Sequence, residues 1–338
     1  MDIKKLVKPN VLKLKAYKAE EIPCKVKLDA NESPYGFRVL HNVHTNKYPD
    51  PEAKELRNLY ARRLKIRAEN VLHGNGSDEL IYNLITTFGG PVLYPIPTFS
   101  MYGIIAQALG EKFAGLPLDE KFDIDMDGMN KHMIKSKPKI IFLSSPNNPT
   151  GNSFSSERIL QIIKRSKGIV VVDEAYQQFS SRKSVIPLLK KHRNLVILRT
   201  LSKIGLAGLR TGFMIAHKDI INEVNKVRLP FNLNSLSQKV AIDTLNKPGE
   251  LKSRIGIIVA ERKRLFNEMI IMDGIKPFPS DANFILFHVN NPDILHSDLL
   301  KRGVLVRNMK DIAGGCLRVT VGRPSENNIF LKNLKQLL

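Results

Sequence analysis

Up to Gly249 the chain alternates short apolar runs with amphipathic stretches of helical length, and this alternation is the strongest constraint on its fold. Strands that alternate with helices favour a mostly parallel sheet with helices on its faces. Several of the runs are apolar throughout, which is typical of strands buried on both faces. The sequence therefore predicts an α/β fold, with strands at 91–94, 139–144, 168–173, 194–200 and 212–216 and helices at 51–64, 77–88, 98–109, 155–165 and 232–245.

The pattern changes after Pro248-Gly249. A long helical pattern covers 251–271, and predicted strands at 282–289, 303–307 and 316–321 follow, with a helix after the first of them and another at the C-terminus. We therefore expect residues 46–248 to form a large domain and residues 249–338 a smaller α+β domain. Residues 1–45 contain several prolines and are predicted to be an arm that associates with the small domain and the active site.

Three predicted strands end in polar residues of different chemistry. Asn148 follows the second strand, Asp173 and Tyr176 follow the third, and Lys203 follows the fourth. In open parallel sheets, ligands bind beyond the carboxyl ends of the strands. An amide, a carboxylate, a phenol and an amine are therefore expected to converge in one crevice.

A fourth element adds an anion site to this crevice. The segment Gly74-Asn75-Gly76-Ser77-Asp78-Glu79 opens a predicted helix, and its glycines permit close approach of the backbone. Free N–H groups at such a helix start bind phosphate. The whole set matches pyridoxal 5′-phosphate, which needs a lysine for its aldehyde, a carboxylate at its ring nitrogen, donors at its phenolic oxygen and a phosphate cradle.

The chain resembles the fold type I aminotransferases, and within them the family that acts on histidinol phosphate. The resemblance runs from Asn10 to about Asn328 and rests on segments in the order and spacing of that family: 28–36, 48–51, 74–79, 147–151, 173–176, 201–210 and 317–322. It implies the exchange of an amino group between histidinol phosphate and 2-oxoglutarate, giving imidazole acetol phosphate and glutamate, in histidine biosynthesis.

The resemblance also implies roles for the residues of the crevice. Lys203 would carry pyridoxal phosphate as a Schiff base and move the substrate proton, Asp173 would pair with the ring nitrogen, and Asn148 and Tyr176 would hold the phenolic oxygen. The remaining cofactor residues would be Gly76, Ser77, Asp78, Ser202 and Arg210 at the phosphate and Phe99 stacked on the ring. Tyr48 would reach the phosphate from the neighbouring subunit, which implies a homodimer.

Anionic substrates suit arginine, whose planar group of donors matches phosphate and carboxylate. By the resemblance, Arg307 and Arg318 would bind substrate, and Tyr17 and Asn31 in the arm would close over it. Two segments depart from many relatives: six residues separate Lys203 from Arg210, one fewer than usual, and the segment Asn308–Gly315 is short. The first bears on phosphate binding and the second on specificity.

Alternatives of other classes remain open at this point. An aminotransferase for aromatic or other amino acids, or a threonine-phosphate decarboxylase, would use many of the same segments. The net charge of +21 raises a third alternative, a nucleic-acid-binding protein. Because the basic residues are spread along the chain, without a basic tail or an aromatic-basic pattern, we expect no nucleic-acid partner but a surface that attracts anionic small molecules.

The remaining features point to an ordinary intracellular enzyme. Cys24 and Cys316 form neither a disulfide framework nor a zinc pattern, and His41 and His44 lack further metal ligands nearby. No apolar run reaches membrane-spanning length. We therefore expect no metal, no membrane partner and a cytoplasmic location.

Overall fold

The computed structural model describes residues 24–29, 31, 33, 35 and 48–338. Its largest element is a seven-stranded sheet with the strand order β2-β8-β7-β6-β5-β3-β4. The strands are β2 (Val71–Asn75), β3 (Val92–Ile96), β4 (Phe113–Pro117), β5 (Ile140–Ser144), β6 (Ile169–Asp173), β7 (Leu195–Thr200) and β8 (Thr211–Ala216). Only β8 runs antiparallel to its neighbours, so the prediction of a mostly parallel sheet is confirmed.

Helices cover both faces of this sheet because its strands are apolar on both sides. In β5, Ile140 and Phe142 pack on one face, whereas Ile141 and Leu143 pack on the other. The first face is covered by α2 (Ser77–Phe88), α3 (Met101–Ala108) and α6 (Lys218–Asn225). The second is covered by α1 (Lys54–Leu64), α4 (Met126–Ser136), α5 (Ser156–Arg165) and α7 (Ser235–Leu245).

The C-terminal part forms a separate antiparallel sheet with the order β12-β13-β10-β9. Its strands are β9 (Ile275–Pro277), β10 (Phe284–Val289), β12 (Arg307–Asn308) and β13 (Cys316–Thr320), and its helices are α8 (Pro248–Met269), α9 (Pro292–Lys301) and α10 (Pro324–Leu337). From the N-terminal side, β1 (Val26–Lys27) pairs in parallel with β11 (Val304–Leu305). This pairing and the contacts of Asn31 with Thr320 attach the segment before the large sheet to the C-terminal part.

Most predicted elements lie within a few residues of the observed ones, and the differences have local causes. Ser155 is the N-cap of α5, because its hydroxyl accepts the backbone N–H of Arg158 at 3.4 Å. The single strand predicted at 303–307 is wrong: it is two short strands, β11 and β12, that join different sheets. The sequence analysis also missed β1, β2, β4, β9, α4 and α6.

The missed strand β4 illustrates why. It carries Gly115 and ends at Pro117, both of which count against a strand in sequence, and it is tolerated because it lies at the edge of the sheet. In the described part of the chain, no helix is both long and apolar enough to cross a membrane.

Candidate active site

The carboxyl ends of β5, β6 and β7 bring three of the predicted side chains to one edge of the sheet. The register pairs Ser144 with Asp173 and Asp173 with Leu198, so the loops that follow these strands begin side by side. Asn148, Tyr176 and Lys203 all lie in those loops. These residues therefore lie at the edge of the sheet where strand topology predicts a ligand site.

Asp173 is a buried carboxylate held by two donors. Its Oδ2 accepts the hydroxyl of Tyr102 at 2.8 Å, and its Oδ1 accepts the backbone N–H of Ala175 at 3.0 Å. Burial raises the pKa of Asp173 to about 6, against the lowering effect of the two donors. The negative charges of Asp78 and Glu174 raise this pKa as well.

Tyr176 connects the lysine to the arm. The Lys203 ammonium nitrogen lies 5.8 Å from the centre of the Tyr176 ring, and among the described residues it has no hydrogen-bond or ion-pair partner. The Tyr176 hydroxyl accepts Nδ2 of Asn31 at 3.2 Å. Asn31 is itself fixed at φ 55°, in the left-handed region, by contacts with Thr320 and Asn283.

Arg318 links the small domain to the amide of the crevice. Its guanidinium is buried, donates through Nη1 to Oδ1 of Asn148, and donates through Nη2 to the carbonyl of Asp29 at 3.0 Å. It also lies over the ring of Phe284, whose edge contact with Tyr176 closes the group. Arg307 is exposed but pairs directly with Arg318 across β12 and β13, so both side chains lie on one face of that sheet.

The start of α2 forms a tight cradle beside β8. Gly76 has φ 85°, and a Cβ there would lie 2.6 Å from Nη2 of Arg210. The same nitrogen donates to Oδ2 of Asp78 at 2.8 Å. Gly212 in β8 approaches so closely that a Cβ would meet the backbone N–H of Ser77 at 2.8 Å. The short Lys203–Arg210 turn therefore still brings Arg210 to the cradle.

Four predicted residues are less directly tied to this group. The Ser202 hydroxyl accepts the hydroxyl of Thr200 at 2.9 Å, and Phe99 packs edge-on against Tyr102 at 5.7 Å between ring centres. Tyr48 is 82% exposed and stacks on Phe231. Tyr17 lies outside the described residues.

Sequence reasoning missed Tyr102 as a site residue. It is fully buried on α3, stacked on Phe142 of β5, and its hydroxyl reaches Asp173 from behind. Burial, followed by the charge of Asp173, raises the pKa of Tyr102 well above its usual value, so it remains a donor. Its spacing three residues after Phe99 was the available signal, since that places both rings on one side of a helix start.

These residues fit pyridoxal phosphate. A Cβ-free cradle beside an arginine suits a phosphate, a buried carboxylate backed by donors suits a protonated ring nitrogen, and an amide and a phenol suit an oxyanion. The charge of Asp78 does not fit, because its negative carboxylate lies beside the cradle and would repel a phosphate. Its pairing with Arg210 offsets that charge.

The sequence pattern of the family described as "Aminotransferase class I and II" matches residues 10–334. Proteins named histidinol-phosphate aminotransferase from Aquifex aeolicus and Caldanaerobacter subterraneus are 44% and 39% identical, over 98% and 99% of both chains respectively. The chain therefore belongs to the class I and II aminotransferases. Within that family, its relatives are the histidinol-phosphate aminotransferases.

Solved structures agree on the fold. The histidinol-phosphate aminotransferase of Sinorhizobium meliloti, solved in complex with pyridoxal-5′-phosphate, matches with a TM-score of 0.85 at 22% identity, covering 98% of this chain and 97% of that one. The one from Clostridium acetobutylicum has a TM-score of 0.85 at 24% identity, with 92% and 98% covered. The predictions of a fold type I architecture, an aminotransferase and a pyridoxal phosphate cofactor are confirmed.

Proposed function

We propose that this chain exchanges an amino group between histidinol phosphate and 2-oxoglutarate, giving imidazole acetol phosphate and glutamate. The observation that carries the proposal is the buried guanidinium of Arg318, which lies against Asn148 and the backbone of Asp29. A guanidinium there can exchange these partners for a substrate anion, and the exposed Arg307 beside it can take a second contact. The names of the relatives support the same substrate.

Proton movement is assigned to Lys203. When bound, pyridoxal phosphate supplies an electron sink for the pair left at the substrate Cα. Lys203 Nζ, free of hydrogen bonds to described residues, would as the neutral amine take the proton from the substrate Cα and, as the ammonium, hold it for return later in the exchange. Its position over the Tyr176 ring limits the directions in which the amine can move.

Asp173 sets the electrostatics of the part of the site that would hold the pyridine ring, which we call the ring end. Its pKa of about 6 leaves it mostly charged at neutral pH, where it would accept a hydrogen bond from the protonated ring nitrogen of bound pyridoxal phosphate. Tyr102 holds this carboxylate in place from behind. The Asn148 amide and the Tyr176 hydroxyl would donate to the phenolic oxygen of pyridoxal phosphate, and Phe99 would cover its ring.

The phosphate end is assigned to the start of α2. The N–H groups of Gly76, Ser77 and Asp78 would bind the phosphate together with Arg210 and the hydroxyl of Ser202. The glycine at position 76 leaves room for Arg210 to approach. Retention of the cofactor thus depends on a different set of residues from proton transfer.

Steady-state assays test the proposal. We expect the kcat/KM for histidinol phosphate with 2-oxoglutarate to exceed that for phenylalanine by at least about 100-fold, which corresponds to one well-made anion contact. A preference for aromatic or aspartate donors would contradict the substrate and leave the reaction class intact. Release of carbon dioxide from threonine phosphate, without amino exchange, would contradict transamination itself.

We further propose that the protein is a homodimer in which Tyr48 completes the neighbouring phosphate site. Tyr48, Leu229 and Leu236 are large apolar side chains with more than half of their surface exposed, and Tyr48 stacks on Phe231 at 4.6 Å. A mixed dimer of Lys203→Ala and Tyr48→Ala subunits tests this. If Tyr48 acts in the partner's site, mixing restores one intact site and part of the activity lost in each parent.

The domain boundaries and location form part of the same proposal. We assign residues 46–248 to the cofactor domain, 249–338 to the small domain, and 1–45 to the arm; the two separate sheets and the β1–β11 pairing support this division. A cytoplasmic location follows from the supply of glutamate and 2-oxoglutarate that the reaction needs. Limited proteolysis that cuts first near residue 248 would support the boundary.

A further inference from the structure

The turn that opens α2 is held from behind by side chains that have no part in the roles described so far. Glu79, in the first turn of α2, accepts two hydrogen bonds at Oε2: one from the backbone N–H of Asn75 at 2.5 Å and one from Nδ2 of Asn232 at 2.7 Å. Gly76, the N-cap of this helix, has no side chain that could cap it. The Glu79 carboxylate therefore fixes the backbone directly before the phosphate-binding turn.

Asn232 is oriented by a third residue. Its Oδ1 accepts Nη1 of Arg228 at 2.9 Å, which turns its Nδ2 toward Glu79. Because both ends of the amide are used, rotation of this side chain would break both hydrogen bonds. Asn232 thus connects Glu79 to Arg228 in one defined orientation.

Arg228 is itself immobilised. Its side chain is only 4% exposed, and it donates to Oδ1 of Asn225 at 2.8 Å and to Oε1 of Glu52 at 3.1 Å. Nη1 also lies 3.4 Å from Nε2 of His73, which must accept because a guanidinium only donates. Burial and the charge of Arg228 hold the pKa of His73 down to about 3, so the ring stays neutral and the arrangement is consistent.

We propose that Glu79, Asn232 and Arg228 are positioning residues for the phosphate group of the cofactor. They hold the Gly76–Asp78 turn in the conformation that aims its N–H groups at one point. This inference rests on the proposed function in one respect, namely that the cofactor phosphate binds at this turn. None of the three residues is assigned a contact with the phosphate, so the effect passes through the backbone of Asn75 and Gly76.

The sign of the effect separates this role from simple electrostatics. Glu79 is an acidic side chain next to an anion site, so as a bare charge it would repel the phosphate. Removing the carboxylate would then tighten cofactor binding. If Glu79 holds the turn, its removal loosens the backbone donors and weakens binding. The two roles predict opposite changes.

The test compares pyridoxal 5′-phosphate with pyridoxal, which lacks the phosphate. Each is titrated into apoenzyme, and binding is followed by the visible absorbance of the lysine-bound cofactor. We expect Glu79→Ala to weaken binding of the phosphorylated form about tenfold or more, as for a lost hydrogen bond to a charged group, with pyridoxal unchanged. Glu79→Gln keeps an acceptor for the Asn75 N–H and should recover much of the loss.

Two further variants locate the effect. Asn232→Ala removes the link to Glu79 and should reproduce part of the Glu79→Ala defect. Asn333→Ala removes an exposed asparagine side chain that donates to the carbonyl of Ile329 within α10, and should leave the preference for the phosphorylated form intact. Should Glu79→Ala fail to fold, Asn232→Ala carries the same comparison.

The outcomes are separable. A wild-type protein that binds both forms equally well would contradict the phosphate site in the proposed function, and this inference with it. A normal wild-type preference with unchanged or tighter binding in Glu79→Ala would overturn only the positioning role. Equal loss for both forms, with a lower melting temperature, would mean a general structural role and would also overturn it.

Discussion

The two ends of the proposed cofactor site, the ring end around Asp173 and the phosphate end at the start of α2, are built in different ways. At the ring end, Asp173 and Tyr102 are buried and hydrogen-bonded to each other, so the charge of Asp173 acts in a medium of low polarity. At the phosphate end, the side chains of Asp78 and Arg210 are 41% and 47% exposed, so salt screens them and the backbone carries the specificity. The ring end is thus suited to proton chemistry and the phosphate end to retention, and substitutions should separate the two.

Lys203→Ala should have the largest effect and should fall on chemistry alone. We expect kcat to fall by about 10³-fold or more, because acid–base catalysis by a positioned group contributes about 10² to 10⁴ and covalent attachment is lost as well. The phosphate end should still retain the cofactor without a covalent bond. Single-turnover kinetics measure the fall in rate. Mass spectrometry after borohydride reduction shows whether the cofactor is still attached covalently.

Lys239→Ala is the matched control, since Lys239 is an exposed lysine on α7 that pairs with Asp243. The Lys239→Ala variant should keep wild-type turnover and should still form the borohydride-reducible adduct on Lys203. Near-normal turnover in Lys203→Ala, or an adduct on another lysine, would contradict the assignment of Lys203.

Asp173→Asn should come second, at about 10²-fold in kcat. The amide keeps the shape of the carboxylate but loses the charge that stabilises a protonated ring nitrogen. The rate of the proton shift should therefore fall more than the affinity for substrate does. We expect KM for histidinol phosphate to change far less than kcat, because Asp173 is assigned no contact with substrate. A KM that rises as much as kcat falls would place Asp173 in substrate binding instead.

Arg210→Gln should come third and should affect only the phosphate end. Loss of one exposed charged donor should weaken pyridoxal phosphate binding about tenfold at low salt. The loss should shrink as salt is raised, and kcat at saturating cofactor should stay within about twofold of wild type. Arg193→Gln, which removes an exposed arginine paired with Asp219, is the control and should change neither quantity. An effect of Arg210→Gln on kcat alone would break the division between the two ends.

How far the sequence alone predicts this site depends on whether a residue's place follows from its own strand. Asn148, Asp173 and Lys203 could be placed because each follows a parallel strand, and such strands end at one edge of a sheet. Glu79 and Asn232 are 153 positions apart, and no local pattern relates them. Their contact depends on how α2 packs beside the segment before α7, which is a property of the tertiary fold.

The same reasoning explains why the sequence predicts the place of Tyr102 and the strand at 303–307 only in part. The helical pattern predicts that Tyr102 is buried, but not that its hydroxyl finds Asp173 across 71 positions. The strand predicted at 303–307 has the right composition, but its division between two sheets depends on pairing with Val26 from the arm. Periodicity determines which faces are buried, whereas partners distant in sequence are set by packing.

The smallest expected effect concerns the carboxylate of the ring end in the apoenzyme. Burial raises the pKa of Asp173 from its usual 3.8 to about 6, so the folded protein holds this proton more tightly than the unfolded chain does. The stability from this group is therefore fully present below pH 3.8 and is lost as pH rises through about 6. Tyr102 limits the loss, because its hydroxyl donates to the charged form.

Tyr102→Phe removes that donor, raises the pKa of Asp173 further, and should make the loss of stability with pH larger. We expect the variant to be destabilised by roughly 1 kcal/mol more at pH 8 than at pH 4, the net worth of one hydrogen bond. Denaturant unfolding of apoenzyme at the two pH values measures this difference, and subtracting the wild-type values removes other titrating groups. Tyr82→Phe, at an exposed tyrosine on α2, should show no such difference. An equal cost at both pH values would mean that the Tyr102 hydroxyl stabilises the charged and the neutral Asp173 equally, and the donation to the carboxylate would then not favour its charged form.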